Sequence, residues 1–251
     1  MSTVFEDVHE YSTTNYYLVP NEEPLLWREI LKYTHIERAA GICSAGEVGF
    51  FGLLPLVRRD LTLIDHSYSS LAIAVFKYIM LREYGPEETI RMLTSGSNEE
   101  LEANFEKLTE HLPPQLKKAL RDTRYGARYT VGSYLNRSSS LIASMWKTIP
   151  PELVKKAARK LDRVSFVHGD LSDLVDRGPF DLLYISNALE HSGRDGRPSL
   201  DVLENVVRPG GLVVGTRNTH TVERWELLDT RIGRGSSWTY HLYKTPEKKA
   251  A

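Results

Sequence analysis

Three groups of residues in this chain have the type and spacing for chemistry on a nucleoside-bearing ligand. The first is a small-residue turn, Ser44-Ala45-Gly46, within "GICSAGEVGFFGLL". Small side chains let a ligand approach the backbone, and N–H groups at the start of the following helix face it. The second is a pair of acids at strand ends. Asp65 closes "LTLID", 19 residues after Gly46, and Asp170 follows "RVSFVHG". A carboxylate closing the second strand of a nucleotide-binding sheet accepts hydrogen bonds from both ribose hydroxyls. Asp170, after the third strand, is placed for an adenine amino group, or caps a helix beginning near Leu171. His66 and Leu171, next to these acids, complete the expected ligand set. The third group is Ser186-Asn187, which ends the strand "FDLLYIS" and can orient an amine or carboxylate over a reacting centre.

Other residues are weaker candidates. Arg217 leaves a later strand and can pair a ligand carboxylate, or form a surface ion pair. His191, after Glu190, is a base near neutral pH or a plain surface-loop histidine. Tyr125, Tyr129, Tyr134 and Asn136 lie in a Tyr- and Gly-rich stretch. Rings with polar tips suit a pocket wall, so residues 123–136 are expected to close over the ligand, with Tyr134 or Asn136 on the acceptor side. The alternative is packing of helices on the sheet. Tyr16 and Tyr17 are candidates to cover the same pocket. Trp27 and Trp146 fall in helical patterns and are expected in the core. No metal site is expected, since the eight histidines form no H-x-x-x-H pair.

The ligand class follows from what the turn is not. A dinucleotide site needs G-x-G-x-x-G, whereas glycines here stand at 41, 46 and 49. A P-loop needs Gly-Lys-Ser/Thr, which does not follow the turn. An S-adenosylmethionine site tolerates a looser turn followed by an acid, and then later markers. Those markers occur in order as "HGDL", "FDLLYIS" and "RPGGLVV". The bland alternative is an α/β sheet with incidental glycines.

These residues must be positioned by alternating strands and helices. "EPLLWREILKYT" has helical periodicity, "HIERAAGICS" ends in a strand, and "GEVGFFGLLPLV" reads as the helix leaving the turn. "SYSSLAIAVFKYIMLREYG" is a long helix with Ser67 as cap and Gly85 as stop. Residues 86–160 break the alternation and are charged at helical period. The α/β order resumes with "RVSFVHGDL", "FDLLYIS", the helix "SLDVLENVV" and "RPGGLVVGTR", a turn and then a strand. "VERWELLDTRIG" is expected as helix and "WTYHLYK" as a final strand. The expected fold is α/β: a Rossmann-like class I S-adenosylmethionine-dependent methyltransferase fold with a mostly parallel sheet. Residues 1–35 form an N-terminal helical cap, 36–85 and 161–246 the binding core, and 86–160 a helical insertion or lid.

Bulk properties narrow the partners. The 251 residues are 41% hydrophobic and 26% charged, ordinary for a soluble globular chain. A formal net charge of −1 gives no overall basic field for nucleic acid or an anionic membrane. One cysteine, Cys43, excludes an intrachain disulfide. No basic-apolar leader and no apolar run of about 20 residues is visible. A cytoplasmic protein acting on a small-molecule substrate, without stable membrane insertion, is expected.

"SAG" before an apolar helix, "LIDHSYSSLAIAVFKYIML", "YISNALEH" and "RPGGLVVGTR" together resemble the S-adenosylmethionine-dependent 3-amino-3-carboxypropyl transferase family of betaine-lipid synthesis. Ser44-Ala45-Gly46, Asp65, Lys77 and Ser186-Asn187 match that family's elements. "NEEP" and "RYGARYTVG" resemble two more, so the likeness spans about residues 15–217. Glu47-Val48 stand where the family has Cys-Asn, and His66 and Ser67 also depart from it. The resemblance implies that S-adenosyl-L-methionine is the donor and that attack falls on its γ-carbon. Its aminocarboxypropyl group would then pass to a small acceptor, or close on itself to azetidine-2-carboxylate, with methylthioadenosine as by-product. An ordinary small-molecule methyltransferase, and a ligand-sensing or scaffold protein of the same fold, are the open alternatives.

Overall fold

The computed structural model describes residues 25–31, 34–95, 103–104, 107–110, 112, 114, 117, 141–186, 199–216, 224–232 and 239–247. Among them are the helices α1 (Leu26–Leu31), α2 (Tyr68–Glu83), α3 (Gly85–Ser95), α4 (Leu141–Thr148), α5 (Pro151–Ala158) and α6 (Leu200–Val206). The strands are β1 (Ile36–Ile42), β2 (Val57–Asp65), β3 (Val164–His168), β4 (Phe180–Ser186), β5 (Val207–Thr216), β6 (Glu226–Ile232) and β7 (Thr239–Lys244). They form one seven-stranded sheet in the order β3-β2-β1-β4-β5-β7-β6. Pairing is parallel from β3 through β5, and β7 runs antiparallel between β5 and β6.

Successive strand residues point to opposite faces, and the core divides accordingly. Leu182, Tyr184 and Val214 join the layer formed with α2, α3, α4 and α5. Leu183, Ile185 and Val213 join the layer formed with α6 and the 3-10 turn Leu171–Arg177. Both faces of the central strands are therefore covered. This explains the uninterrupted buried run Leu61–Asp65 in β2, where a half-exposed strand would alternate.

Ser67 caps α2 by accepting the Ser70 N–H at 3.4 Å, as its place before the apolar run predicts. Gly85, at φ +77, separates α2 from α3. The stretch "GEVGFFGLLPLV" does form a helix, but a single π-helical segment, Val48–Leu53. Lys160 ends it by donating to the carbonyls of Leu54, Pro55 and Val57 at 3.4, 3.1 and 2.7 Å. Residues 141–158 make two helices, because Pro150 adopts an extended conformation at the N-cap of α5. Trp146, Ile149, Leu153, Val154 and Ala157 enter the same core layer as α2, so this part of the 86–160 segment packs on the sheet.

Two expectations need correction. "VERWELLDTRIG" is not a helix, for Glu226–Ile232 is strand β6. Pairing with β7 satisfies one edge of its backbone, while both of its faces stay largely exposed, so no apolar periodicity marks it. Arg208–Gly211 is not a turn ahead of β5 but a bulge within it. Pairing jumps from Phe180↔Val207 to Leu182↔Leu212, and Gly210 at φ +67 absorbs the excess chain. No described helix is long and apolar enough to cross a membrane.

Candidate functional site

In an open α/β sheet the ligand crevice lies at the carboxyl ends of the strands, where the chain order reverses. Here that point falls between β1 and β4. The described non-glycine residues with positive φ are Ser44 and Ser186, both at +48°. One follows β1 and the other ends β4, so the two strained serines flank the reversal. Left-handed backbone in residues with a Cβ costs about 1–3 kcal/mol and gathers at functional sites.

The turn after β1 is held by backbone bonds: Cys43 N–H to Ile64 O at 2.7 Å and Gly46 N–H to Cys43 O at 2.9 Å. Gly46 has φ +97, and a Cβ there would lie 2.7 Å from Phe50 Cε2 and 3.0 Å from Ala74 Cβ. Its smallness thus permits close packing against Phe50 and α2. Ala45 is fully buried and Ser44 is 8% exposed.

Asp65 ties this turn to the start of α2. Its Oδ2 accepts the Ser44 N–H at 2.9 Å and its Oδ1 the Ser67 N–H at 2.8 Å. Each oxygen keeps acceptor capacity beyond these bonds. Burial pushes the Asp65 carboxyl up to about 6, against the pull of the two backbone N–H groups and of His66. His66 is exposed, with Nδ1 3.9 Å from Asp65 Oδ1.

The adjacent corner is built by β3. Gly169 N–H donates to the Asp65 carbonyl at 3.1 Å, which brings Asp170 beside Asp65. Asp170 is exposed at the N-cap of the turn Leu171–Arg177, and its N–H donates to Asp173 Oδ2 at 2.8 Å. The Leu171 side chain belongs to the core. Two residues absent from the sequence-derived set close this corner. The His168 ring stacks on Tyr68 at 3.7 Å, and its Nε2 lies 3.1 Å from the His66 carbonyl oxygen. Burial holds the His168 imidazole below its usual range. A histidine ending β3 and a tyrosine opening α2, 100 positions earlier in the chain, carry no local signal of this stacking.

Beneath the turn, Lys77 of α2 donates to the Ala45 carbonyl at 2.9 Å and pairs with Glu47. The Trp146 indole donates to Glu47 Oε1 at 3.1 Å. Burial lowers the Lys77 ammonium, with the Glu47 charge opposing it, and raises the Cys43 thiol well above its usual range.

The structure therefore brings together Ser44, Ala45, Gly46, Asp65, His66 and Asp170, with Ser186 across the reversal. Asn187, Tyr134, Asn136 and Arg217 lie outside the described residues, as do Tyr16, Tyr17, Tyr125, Tyr129, Glu190 and His191. No group of three or more metal-ligating side chains occurs among the described residues.

A methyltransferase-domain family model matches residues 142–215, which contain β3, β4 and most of β5. No curated protein sequence matches the chain. Among solved structures, the rRNA methyltransferase AviRa from Streptomyces viridochromogenes is similar at 12% identity and a TM-score of 0.49, over 97% of this chain and 90% of that one. The N-methyltransferase NodS from Bradyrhizobium japonicum WM9, solved with S-adenosyl-L-homocysteine, is similar at 13% identity and a TM-score of 0.40, over 88% and 84%. An RNA methyltransferase from Salinibacter ruber, also solved with S-adenosyl-L-homocysteine, gives 12% and 0.44, over 92% and 97%. Strand order and domain match together define a Rossmann-like class I methyltransferase fold. The matched model describes a methyltransferase domain.

Proposed function

We propose that this chain binds S-adenosyl-L-methionine at the carboxyl ends of β1, β2 and β3 and transfers its methyl group to a small-molecule acceptor over Ser186-Asn187. The observation that carries this is Asp65, a buried strand-end carboxylate preset by the Ser44 and Ser67 N–H groups. Such a group suits a ribose diol, because its remaining lone pairs accept both hydroxyls without reorganisation. Asp170, exposed beside it, would then accept from the adenine amino group, a reading its exposure supports. The methyltransferase-domain match over residues 142–215 supports methyl transfer over the aminocarboxypropyl chemistry that the short motifs imply. The net charge of −1 supports a small acceptor over nucleic acid, whose phosphates require a basic field.

The bound donor supplies an electrophilic sulfonium carbon, and displacement there is in line. The chain's part is chiefly positioning, which by itself lowers such barriers by several kcal/mol. Asp65 and the turn fix the nucleoside, and the β4 end aims the acceptor. Calorimetric titration with S-adenosyl-L-homocysteine tests the donor site. Incubation with S-adenosyl-L-methionine and a panel of small amines, acids and phenols then tests the chemistry by mass. S-adenosyl-L-homocysteine with a methylated acceptor is the expected outcome. Methylthioadenosine would transfer the assignment to γ-carbon chemistry, and absence of binding would remove the donor site altogether.

A further inference from the structure

The turn after β1 rests on charged groups shut off from water. The side chains of Glu47 and Lys77 are both 0% exposed, and Trp146 is 1% exposed. Lys77 reaches from the middle of α2 to the Ala45 carbonyl at 2.9 Å and to Glu47 Oε1. From α4, 99 residues away in sequence from Glu47, the Trp146 indole N–H meets the same oxygen at 3.1 Å. Glu47 Oε2 accepts no hydrogen bond from any described residue.

Stability is a poor explanation for this arrangement. Desolvating two ions costs heavily, and replacing a whole buried pair by apolar groups is often neutral or stabilising. An unsatisfied buried carboxylate oxygen adds to that cost. What the network does provide is geometry. Ser44 N–H is held from one side by Asp65, and the next residue's carbonyl is held from the other by Lys77. Glu47 fixes the ammonium, and Trp146, set edge-on to Phe51 with ring centroids 5.0 Å apart, fixes Glu47.

Resting on the assignment of Ser44–Gly46 as the donor turn, we propose that Lys77, Glu47 and Trp146 are positioning residues that hold this turn in its binding shape and tie it to α4. Donor affinity then depends on a helix that belongs to the segment between β2 and β3, remote in sequence from the turn. Two variants test this. Glu47→Leu with Lys77→Met replaces the pair as a unit. Trp146→Phe keeps an aromatic ring against Phe51 and removes the N–H. Both are compared with the wild-type chain by urea unfolding, by titration with S-adenosyl-L-homocysteine, and by amide exchange at residues 44–50.

The double variant, in which the Ala45 carbonyl and the Trp146 indole lose these partners, should still unfold cooperatively though at a lower urea concentration, and bind the ligand at least about tenfold more weakly. In both variants the ligand-free 44–50 amides should exchange at least about tenfold faster, with β4 and β5 amides unchanged. Wild-type exchange at 44–50 overturns the proposal. So does undiminished affinity in the double variant, the result for a pair that only fills space. Should the double variant fail to fold, Trp146→Phe decides by the same exchange measurement. If the wild-type chain binds no S-adenosyl-L-homocysteine, the donor assignment falls, while ligand-free exchange still decides whether the network holds the turn.

Discussion

Asp65 carries most of the candidate chemistry, and its environment makes a pH-dependent prediction. Its folded carboxyl sits at about 6, raised chiefly by burial. A raised carboxyl means that the native chain binds this proton more tightly than the unfolded chain does. Its contribution to stability is present below about pH 4 and is lost as pH rises through about 6. Ligand binding follows the opposite sense, because the ionised form is the better acceptor for two hydroxyls. Affinity for S-adenosyl-L-homocysteine should fall as pH drops from about 7.5 to 5, and Asp65→Asn should flatten that profile. Calorimetry across this range checks it, and a wild-type profile as flat as that of the variant would remove Asp65 from the site. At neutral pH, Asp65→Ala should lose about 1.5–3 kcal/mol of ligand affinity per bond, since each bond is to a charged acceptor. This residue was accessible from spacing alone, because a strand end and its distance from the turn are local properties. Glu47, Lys77 and Trp146 were not, for they meet only after α2 and α4 have packed.

Among the elements, α2 and the π-helical segment matter most, because they carry the turn. Ser67 both caps α2 through Oγ and binds Asp65 through its N–H. Ser67→Ala removes the cap alone and should cost about 0.5–2 kcal/mol in urea unfolding. The backbone bond to Asp65 survives, so ligand affinity should change little, and a loss as large as that of Asp65→Ala would contradict this division of roles. Lys160 closes the π-helical segment through three carbonyls. Lys160→Met should lower stability by about 1–3 kcal/mol, as carbonyl groups lose a charged donor. Equal midpoints for variant and wild type would show that water serves these carbonyls as well. The N-cap of α2 was readable from Ser67 before an apolar run. The closure by Lys160 was not, since it joins residues more than 100 positions apart.

For the molecule as a whole, a site at the reversal between β1 and β4 couples ligand to global stability. The turn, β2 and β3 meet through Asp65, so a ligand held there favours the folded sheet. At a ligand concentration 100 times the dissociation constant, linkage gives about 2.7 kcal/mol. S-adenosyl-L-homocysteine should therefore raise the melting temperature by several degrees, and Asp65→Ala should abolish the rise at the same concentration. A differential scanning measurement decides this, and an equal shift in both chains would place binding elsewhere. Covered faces also explain which strands were visible beforehand. The Leu61–Ile64 part of β2 and the Leu182–Ile185 part of β4 are buried on both faces and read as mostly apolar runs, whereas β6 is exposed on both and resembles a solvated helix.

Local physics in the chain accounts for the alternation of strands and helices, the caps Ser67 and Gly85, and the placing of Asp65 and Asp170 at strand ends. Each depends on side-chain periodicity or on the backbone preference of one residue, which nearby residues express. Three other features needed the assembled fold. The state of β6 was decided by its hydrogen bonds to β7, against its own composition. The role of Gly46 was decided by the approach of Phe50 and Ala74. The ion pair under the turn was decided by packing, because burial makes Glu47 and Lys77 partners across 30 residues that no sequence period connects.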